Sequence, residues 1–157
     1  GKLVKLCTSQ EKIITVDPKE DHFDYYKDVT ALTPNLKEAQ TAANLHIRQK
    51  KEIPLLGDII MKRLTPKALL VTLGEDGMML FERGKYTHIP TAALEVFDVS
   101  GAGDTVISVF TLALACGASY VEAALLSNFA AGIVVGKLGA ATVTKDEIFK
   151  VINGKRS

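Results

Sequence analysis

The sequence predicts an α/β fold in which helices cover both faces of a largely parallel sheet. Three observations carry that reading. Short apolar runs rich in β-branched residues alternate with longer stretches of helical spacing, the rhythm of a layered α/β domain. One run, residues 68–73, is apolar without interruption, as expected for a strand covered on both faces. Small-residue or acidic turns follow the runs, which is where open α/β sheets place their ligands.

The elements follow in order. Leu3, Val4, Leu6 and Cys7 form the apolar face of a first helix, with Gln10, Glu11 and Lys12 as its polar exit. Residues 13–16 form a short strand ended by Asp17 and Pro18; residues 29–33 form a second, closed by Pro34. Apolar residues at Leu36, Ala39, Ala43 and Ile47 predict a helix over 35–51. Pro54 suits the first turn of another helix reaching Leu64. After the strand at 68–73, the turn Gly74-Glu75-Asp76-Gly77 and the turn at Arg83-Gly84 divide residues 78–81 and 86–89 into a hairpin. A β-like run at 94–97 leads into a buried helix at 106–116, apolar on nearly every face. A long helix covers 120–137, and Thr144 with Glu147 makes a capping box for a last helix ending near Ile152. On this reading Asp17, Asn35, Gly74 and Asp98 all sit at strand ends and share one crevice.

Bulk properties narrow the classes. A chain of 157 residues suggests one domain, burying about two-thirds of its unfolded surface. Nineteen basic residues against 18 acidic give a net charge of +1, and no basic stripe with interleaved aromatics appears, so nucleic acid is not an expected partner. Cys7 and Cys116 lie far apart in apolar surroundings and read as reduced core thiols of a cytoplasmic protein. The longest apolar run, 106–115, is too short to cross a bilayer. The first residues resemble the middle of a helix, so the chain reads as a piece of a longer protein. His22, His46 and His88 share no metal-ligand spacing and read as surface residues; Met61, Met78 and Met79 read as core filler.

The chemistry concentrates in Asp98-Val99-Ser100-Gly101-Ala102-Gly103-Asp104-Thr105. A small-residue turn before a helix leaves backbone N–H groups free at the positive end of the helix dipole, an anion site that glycines let a ligand approach. A carboxylate in such a turn repels an anion. It has a purpose if Asp104 takes the proton from a nucleophile attacking a phosphate held by those N–H groups. The alternative is that Asp104 caps a core helix. The string lacks the third glycine of a dinucleotide fingerprint and the Lys-Ser/Thr ending of a P-loop; residues 132–137 fail the P-loop test too.

Three strings together resemble the ribokinase-like (PfkB) carbohydrate kinases. Thr33-Pro34-Asn35-Leu36-Lys37-Glu38-Ala39 resembles their Asn-x-x-Glu element. Residues 71–77 resemble their nucleotide-contacting strand and turn, and residues 98–105 their C-terminal signature. The resemblance covers nearly the whole chain, but only the C-terminal half of the family fold: residues 1–157 correspond to its nucleotide-binding part, without the N-terminal half and lid. Residues 16–19, Phe23, Tyr25 and residues 32–35 most resemble the heptose 7-phosphate kinases of lipopolysaccharide core synthesis.

The resemblance implies a kinase using ATP, Mg²⁺ and a sugar phosphate, with K⁺ as a candidate further ion. No membrane partner is expected, and the chain alone is expected to be inactive. The strand edge and apolar faces left without the N-terminal half predict a homo-oligomer. The alternatives are a nucleotide-binding piece that catalyses nothing, or a kinase for another sugar. Asp104 is then the general base, and the N–H groups of Gly101, Ala102 and Gly103 the anion hole. Asn35 and Glu38, three apart at a helix start, suit a hydrated Mg²⁺, against an ordinary first-turn Glu favoured by the dipole. Asn35 also belongs to the implied nucleotide set with Thr72, Gly74 and Gly77, whose glycines equally suit a plain turn. Asn128 falls near the adenine position, or is a satisfied core amide. Asp98 and the Ser100 carbonyl resemble a monovalent-cation site, or Asp98 ties down its own turn. Lys19 is a solvated loop lysine or a phosphate contact.

Overall fold

The computed structural model describes residues 2–19 and 22–154. The expectations that touch Gly1 and residues 155–157 lie outside the described residues. Five strands, β1 (Thr15–Val16), β2 (Ala31–Leu32), β3 (Ala68–Thr72), β4 (Met78–Glu82) and β5 (Lys85–Ile89), form one sheet in chain order. β1, β2 and β3 run parallel; β4 and β5 return antiparallel. β1 and β2 are joined by a loop with one 3-10 turn, β2 and β3 through helices, and the antiparallel strands by their Gly turns.

Alternation along β3 builds two cores. Leu69 and Val71 face a layer made by α2 (Leu36–Ala43) and α3 (Ile53–Leu64), with Leu56, Ile60 and Phe81 buried there. Ala68 and Leu70 face the opposite layer of α4 (Ala102–Ala115) and α5 (Tyr120–Val135), with Phe110 and Ala124. Period-two side chains on a strand buried on both sides require this two-faced packing. α1 (Lys2–Ser9) contributes no buried residue, though Val4 packs against the first core. α6 (Lys145–Ile152) begins at the Thr144–Glu147 capping box the sequence predicted.

The structure corrects five expectations. The helix predicted over 35–51 stops at Ala43, where Asn44 takes a left-handed conformation (φ 49°). The Gln40 carboxamide then accepts the Ile47 N–H at 2.9 Å, so Ile47 reaches the core from a loop. The helical spacing was real as a burial pattern, but a C-cap ended the helix first.

Residues 94–97 form no strand. Residues 90–98 lie along α5 as a strap: Asn128 Nδ2 donates to the Pro90 carbonyl at 2.7 Å, and the N–H groups of Phe97 and Asp98 both donate to the Val135 carbonyl. Asp98 therefore follows the strap and not a strand end. Gly132 makes the approach possible, since a Cβ there would sit 2.9 Å from the backbone of Ala92 and Ala93.

The helix predicted as buried all round begins earlier, at Ala102, and buries only Val106, Phe110 and Ala113, one stripe. Leu112 is 65% exposed. Cys116 is exposed and Cys7 partly so, so neither is a core thiol. The histidines are at the surface; Met78 and Met79 are buried, and Met61 partly.

Candidate active site

The carboxyl ends of the parallel strands gather Asp17 after β1, Asn35 after β2 and Gly74 after β3. The Thr72 N–H donates to the Pro34 carbonyl at 3.0 Å, and Asn35 bridges to Thr72, so two of these ends are one piece of sheet. Asp17 is half-buried with Lys19 Nζ at 3.9 Å. Its pKa is raised: burial acts most strongly, Lys19 opposes it, and the negative charge of Asp104 adds to it. The two carboxylates thus share one field.

The turn into α4 is held by Asp98. One carboxylate oxygen accepts the Ser100 N–H at 2.8 Å, the other the Gly139 N–H at 3.2 Å. These bonds, that from Ser100 first, lower the Asp98 pKa. Gly101 takes φ +78°, a left-handed conformation that suits glycine, and caps α4 with no side-chain bond. The Ala102 N–H is occupied by the Val99 carbonyl at 3.2 Å. Among the described residues the N–H groups of Gly101, Gly103 and Asp104 have no acceptor. Of the three N–H groups expected to form an anion cradle, those of Gly101 and Gly103 are therefore open and that of Ala102 is taken; Asp104's own N–H is open as well. The Asp104 side chain is exposed in the first turn, with no hydrogen bond or ion pair among the described residues; it is not the N-cap.

A cavity of about 600 Å³ opens beside this turn. Its walls include Thr72, Gly74, Gly77, Ala102, Gly103 and Asn128, brought from three separate stretches of chain. Met78, Val96, Val106 and Val135 make much of the rest, an apolar slot with polar ends. Asn128 is 6% exposed; its amide N–H₂ is committed to Pro90, which can only accept, so the amide orientation is fixed and Oδ1 is left without a partner among the described residues. Gly77 (φ +83°) is required by packing, because a Cβ would sit 2.1 Å from the Ile89 carbonyl oxygen. A second hollow, of about 540 Å³, lies against α1 between Lys5 and Asp24 and holds none of the predicted site residues.

Asn35 and Glu38 cap α2 reciprocally: Asn35 Oδ1 accepts the Glu38 N–H at 2.9 Å, and Glu38 Oε2 accepts the Asn35 N–H at 2.8 Å. One carboxylate oxygen of Glu38 stays open. Asn35, Glu38, Asp98, Ser100, Gly101 and Asp104 do not line the cavity. Among the described residues no three His, Cys, Asp or Glu side chains cluster as a ready metal site. Sequence reasoning missed the strap residue Thr91 and the seat under it. The signal was there: Asn128, Gly132 and Gly136 recur every four residues, a small-residue stripe on one face of α5.

A profile of the pfkB family of carbohydrate kinases matches residues 2–147. The chain belongs to the pfkB carbohydrate kinase family. Within this family it is 48% identical over 154 residues to the bifunctional protein HldE of Geotalea uraniireducens, covering 96% of this chain and 31% of that one. It is 43% identical over 154 residues to the HldE of Yersinia enterocolitica, covering 98% and 32%. The chain therefore spans about a third of the length of these relatives. The ribokinase-like fold is shared with phosphofructokinase-2 of Escherichia coli in complex with potassium (TM-score 0.87, 20% identity, 98% of this chain and 51% of that one). It is shared as well with Arabidopsis thaliana ribokinase complexed with ribose and ATP (TM-score 0.83, 24% identity, 96% and 51%). Among the described residues no helix is long and apolar enough to cross a membrane.

Proposed function

We propose that this pfkB-family chain forms the nucleotide side of an ATP-dependent kinase that phosphorylates a sugar phosphate, with heptose 7-phosphate the substrate that its resemblance to the heptose 7-phosphate kinases implies. One observation carries the reading: Thr72, Gly74, Gly77, Gly103 and Asn128 share a single cavity beside a helix N-terminus with open N–H groups. The fit to a nucleotide is chemical. The slot is apolar enough for a flat base, Asn128 Oδ1 accepts at one wall, and glycines leave the phosphate end unobstructed.

ATP, when bound with Mg²⁺, supplies the phosphoryl group and its charge neutralisation. The chain's own residues do the rest. Gly101, Gly103 and Asp104 N–H groups bind phosphoryl oxygens, with the α4 dipole behind them. Asp104 accepts the proton of the sugar hydroxyl; its free carboxylate is available for that, and transfer through a loose transition state asks mainly for positioning. Asp17 sits near enough to Asp104 to feel its charge. The open oxygen of Glu38 would hold a metal-bound water, a single protein contact of the kind Mg²⁺ tolerates. Asp98 holds the turn, and the Ser100 carbonyl is the candidate contact for a monovalent ion such as K⁺. We also place the protein in the cytoplasm as a homo-oligomer.

A second reading, nucleotide binding without turnover by this chain alone, is favoured by one fact: Asp104 lies outside the cavity walls. Calorimetry with ATP and Mg²⁺ on the folded chain tests the shared part of both readings, with weak saturable binding expected; no heat at millimolar nucleotide contradicts it. Phosphate transfer to heptose 7-phosphate, assayed beside it, separates the two.

A further inference from the structure

Lys137 and Glu147 have no part in the site described above, yet they hold the loop against which it is built. Lys137 Nζ lies 2.7 Å from Glu147 Oε1 and also donates to the Thr142 carbonyl at 2.8 Å. Glu147 Oε2 accepts both the N–H and the hydroxyl of Thr144, each at 2.8 Å. The hydrogen bond from Lys137, then those from Thr144, hold the Glu147 carboxyl down to about 2. Together these contacts tie the end of α5 to the start of α6 and close the loop between them.

The other side of that loop carries the turn into α4. Gly139 donates its N–H to Asp98 Oδ2, while Asp98 Oδ1 holds the Ser100 N–H. Just before, the Val135 carbonyl receives the N–H groups of Phe97 and Asp98. A continuous chain of bonds therefore runs from Glu147 through Lys137 and the loop to Gly139, then through Asp98 to the residue before Gly101.

Fold stability does not account for this concentration of bonds. Both side chains are about a third exposed, where ion pairs add little. α6 buries no residue, so the pair does not lock a core helix in place.

We propose that the Lys137–Glu147 pair is a positioning clamp for the turn at the N-terminus of α4: it fixes the loop that presents Gly139 to Asp98, and so sets the backbone N–H groups of Gly101 and Gly103. The clamp touches no ligand. Its ligand consequence rests on the reading of that turn as a phosphate-binding site; its structural consequence does not.

The test uses the whole chain, unaltered and as Glu147→Gln, Lys137→Met and Lys137→Arg. Gln keeps an acceptor for the Thr144 N–H, so Glu147→Gln removes the ion pair and spares the cap. Amide hydrogen exchange reads the clamp without any ligand. Exchange at Ser100 and Gly139 is expected to rise about tenfold in Glu147→Gln and Lys137→Met, with β3 and β4 unchanged and Lys137→Arg close to the unaltered chain. Unchanged exchange at Ser100 overturns the clamp. Calorimetry with ATP and Mg²⁺ then reads its effect on the site: five- to twentyfold weaker binding in the first two variants, near-normal binding in Lys137→Arg. Equal affinity in all four overturns the claimed coupling. An unaltered chain that takes no ATP contradicts the nucleotide reading alone, and the exchange result still decides the clamp.

Discussion

The hydroxyls of Thr15 and Thr111 meet at 2.5 Å, pinning β1 to α4. Thr111 already donates its proton to the Ile107 carbonyl at 2.6 Å, so Thr15 is the donor between them. Asp17 lies two residues beyond Thr15, and Asp104 two helical turns before Thr111. The pin thereby fixes how the strand end and the helix N-terminus oppose their carboxylates. Losing one neutral hydrogen bond of this kind costs about 1 kcal/mol, so Thr15→Val, which removes this bond and leaves that of Thr111 to Ile107, is expected to lower stability by that amount in urea unfolding.

Asp17 carries a stability cost at neutral pH. Its native pKa is raised above the ordinary 3.8 by burial and then by Asp104. The native state therefore holds the proton more tightly than the unfolded chain, and stability rises as pH falls through the raised value. Asp17→Asn is expected to raise the Tm at pH 7, with the advantage gone once pH falls below 3.8. A variant less stable than the unaltered chain at pH 7 contradicts this account of Asp17.

Glu147 behaves in the opposite sense. Its native pKa, about 2, lies below the ordinary 4.5, so its pairing stabilises the fold fully above 4.5 and is lost as pH falls toward 2. The Tm difference between the unaltered chain and Glu147→Gln is expected to be small at pH 6, given the exposure of the pair, and to vanish near pH 2. A difference that persists at pH 2 contradicts the assignment.

Gly132 is the seat of the strap. A methyl there meets the backbone of Ala92 and Ala93 at 2.9 Å, and backbone cannot swing aside as a flexible side chain does. Gly132→Ala is expected to cost about 1–3 kcal/mol, the range for overpacking, and to weaken nucleotide binding because Thr91 and Val96 form a cavity wall. Unfolding in urea and calorimetry check the two effects separately.

Asn128 presents an acceptor to the cavity, which suits an exocyclic amino group better than a carbonyl. The chain is expected to bind ATP about tenfold more tightly than GTP, the worth of one hydrogen bond of roughly 1.4 kcal/mol. Asn128→Leu should erase the preference. Equal affinities in the unaltered chain contradict this role for Oδ1.

Much of this was legible because local chemistry and tertiary context agree. The Thr144–Glu147 box, Pro54 at a helix start, the Gly turns of the hairpin and the two-sided strand at 68–72 all express local rules that the fold leaves alone. The grouping of Thr72, Gly74, Gly77, Gly103 and Asn128 was legible from the motifs together. The failures are of another kind. Residues 94–97 have strand-like side chains, but their N–H groups find acceptors on α5, a choice made by Gly132 some 35–38 positions away. The apolar spacing through Ile47 reports burial faithfully and says nothing about the Asn44 cap. The link between Asp17 and Asp104, and that between Glu147 and Asp98, cross long stretches of chain and leave no local trace.

The central claim is that Asp104 moves the proton while the turn around it holds the phosphate. Steady-state kinetics of Asp104→Asn, with ATP affinity measured on the same samples, tests it most directly. The account predicts a kcat lower by a factor on the order of 10² to 10⁴, the range for losing a general base, with ATP affinity nearly unchanged. A variant with near-normal kcat, or one whose ATP affinity falls as far as its kcat, would contradict it.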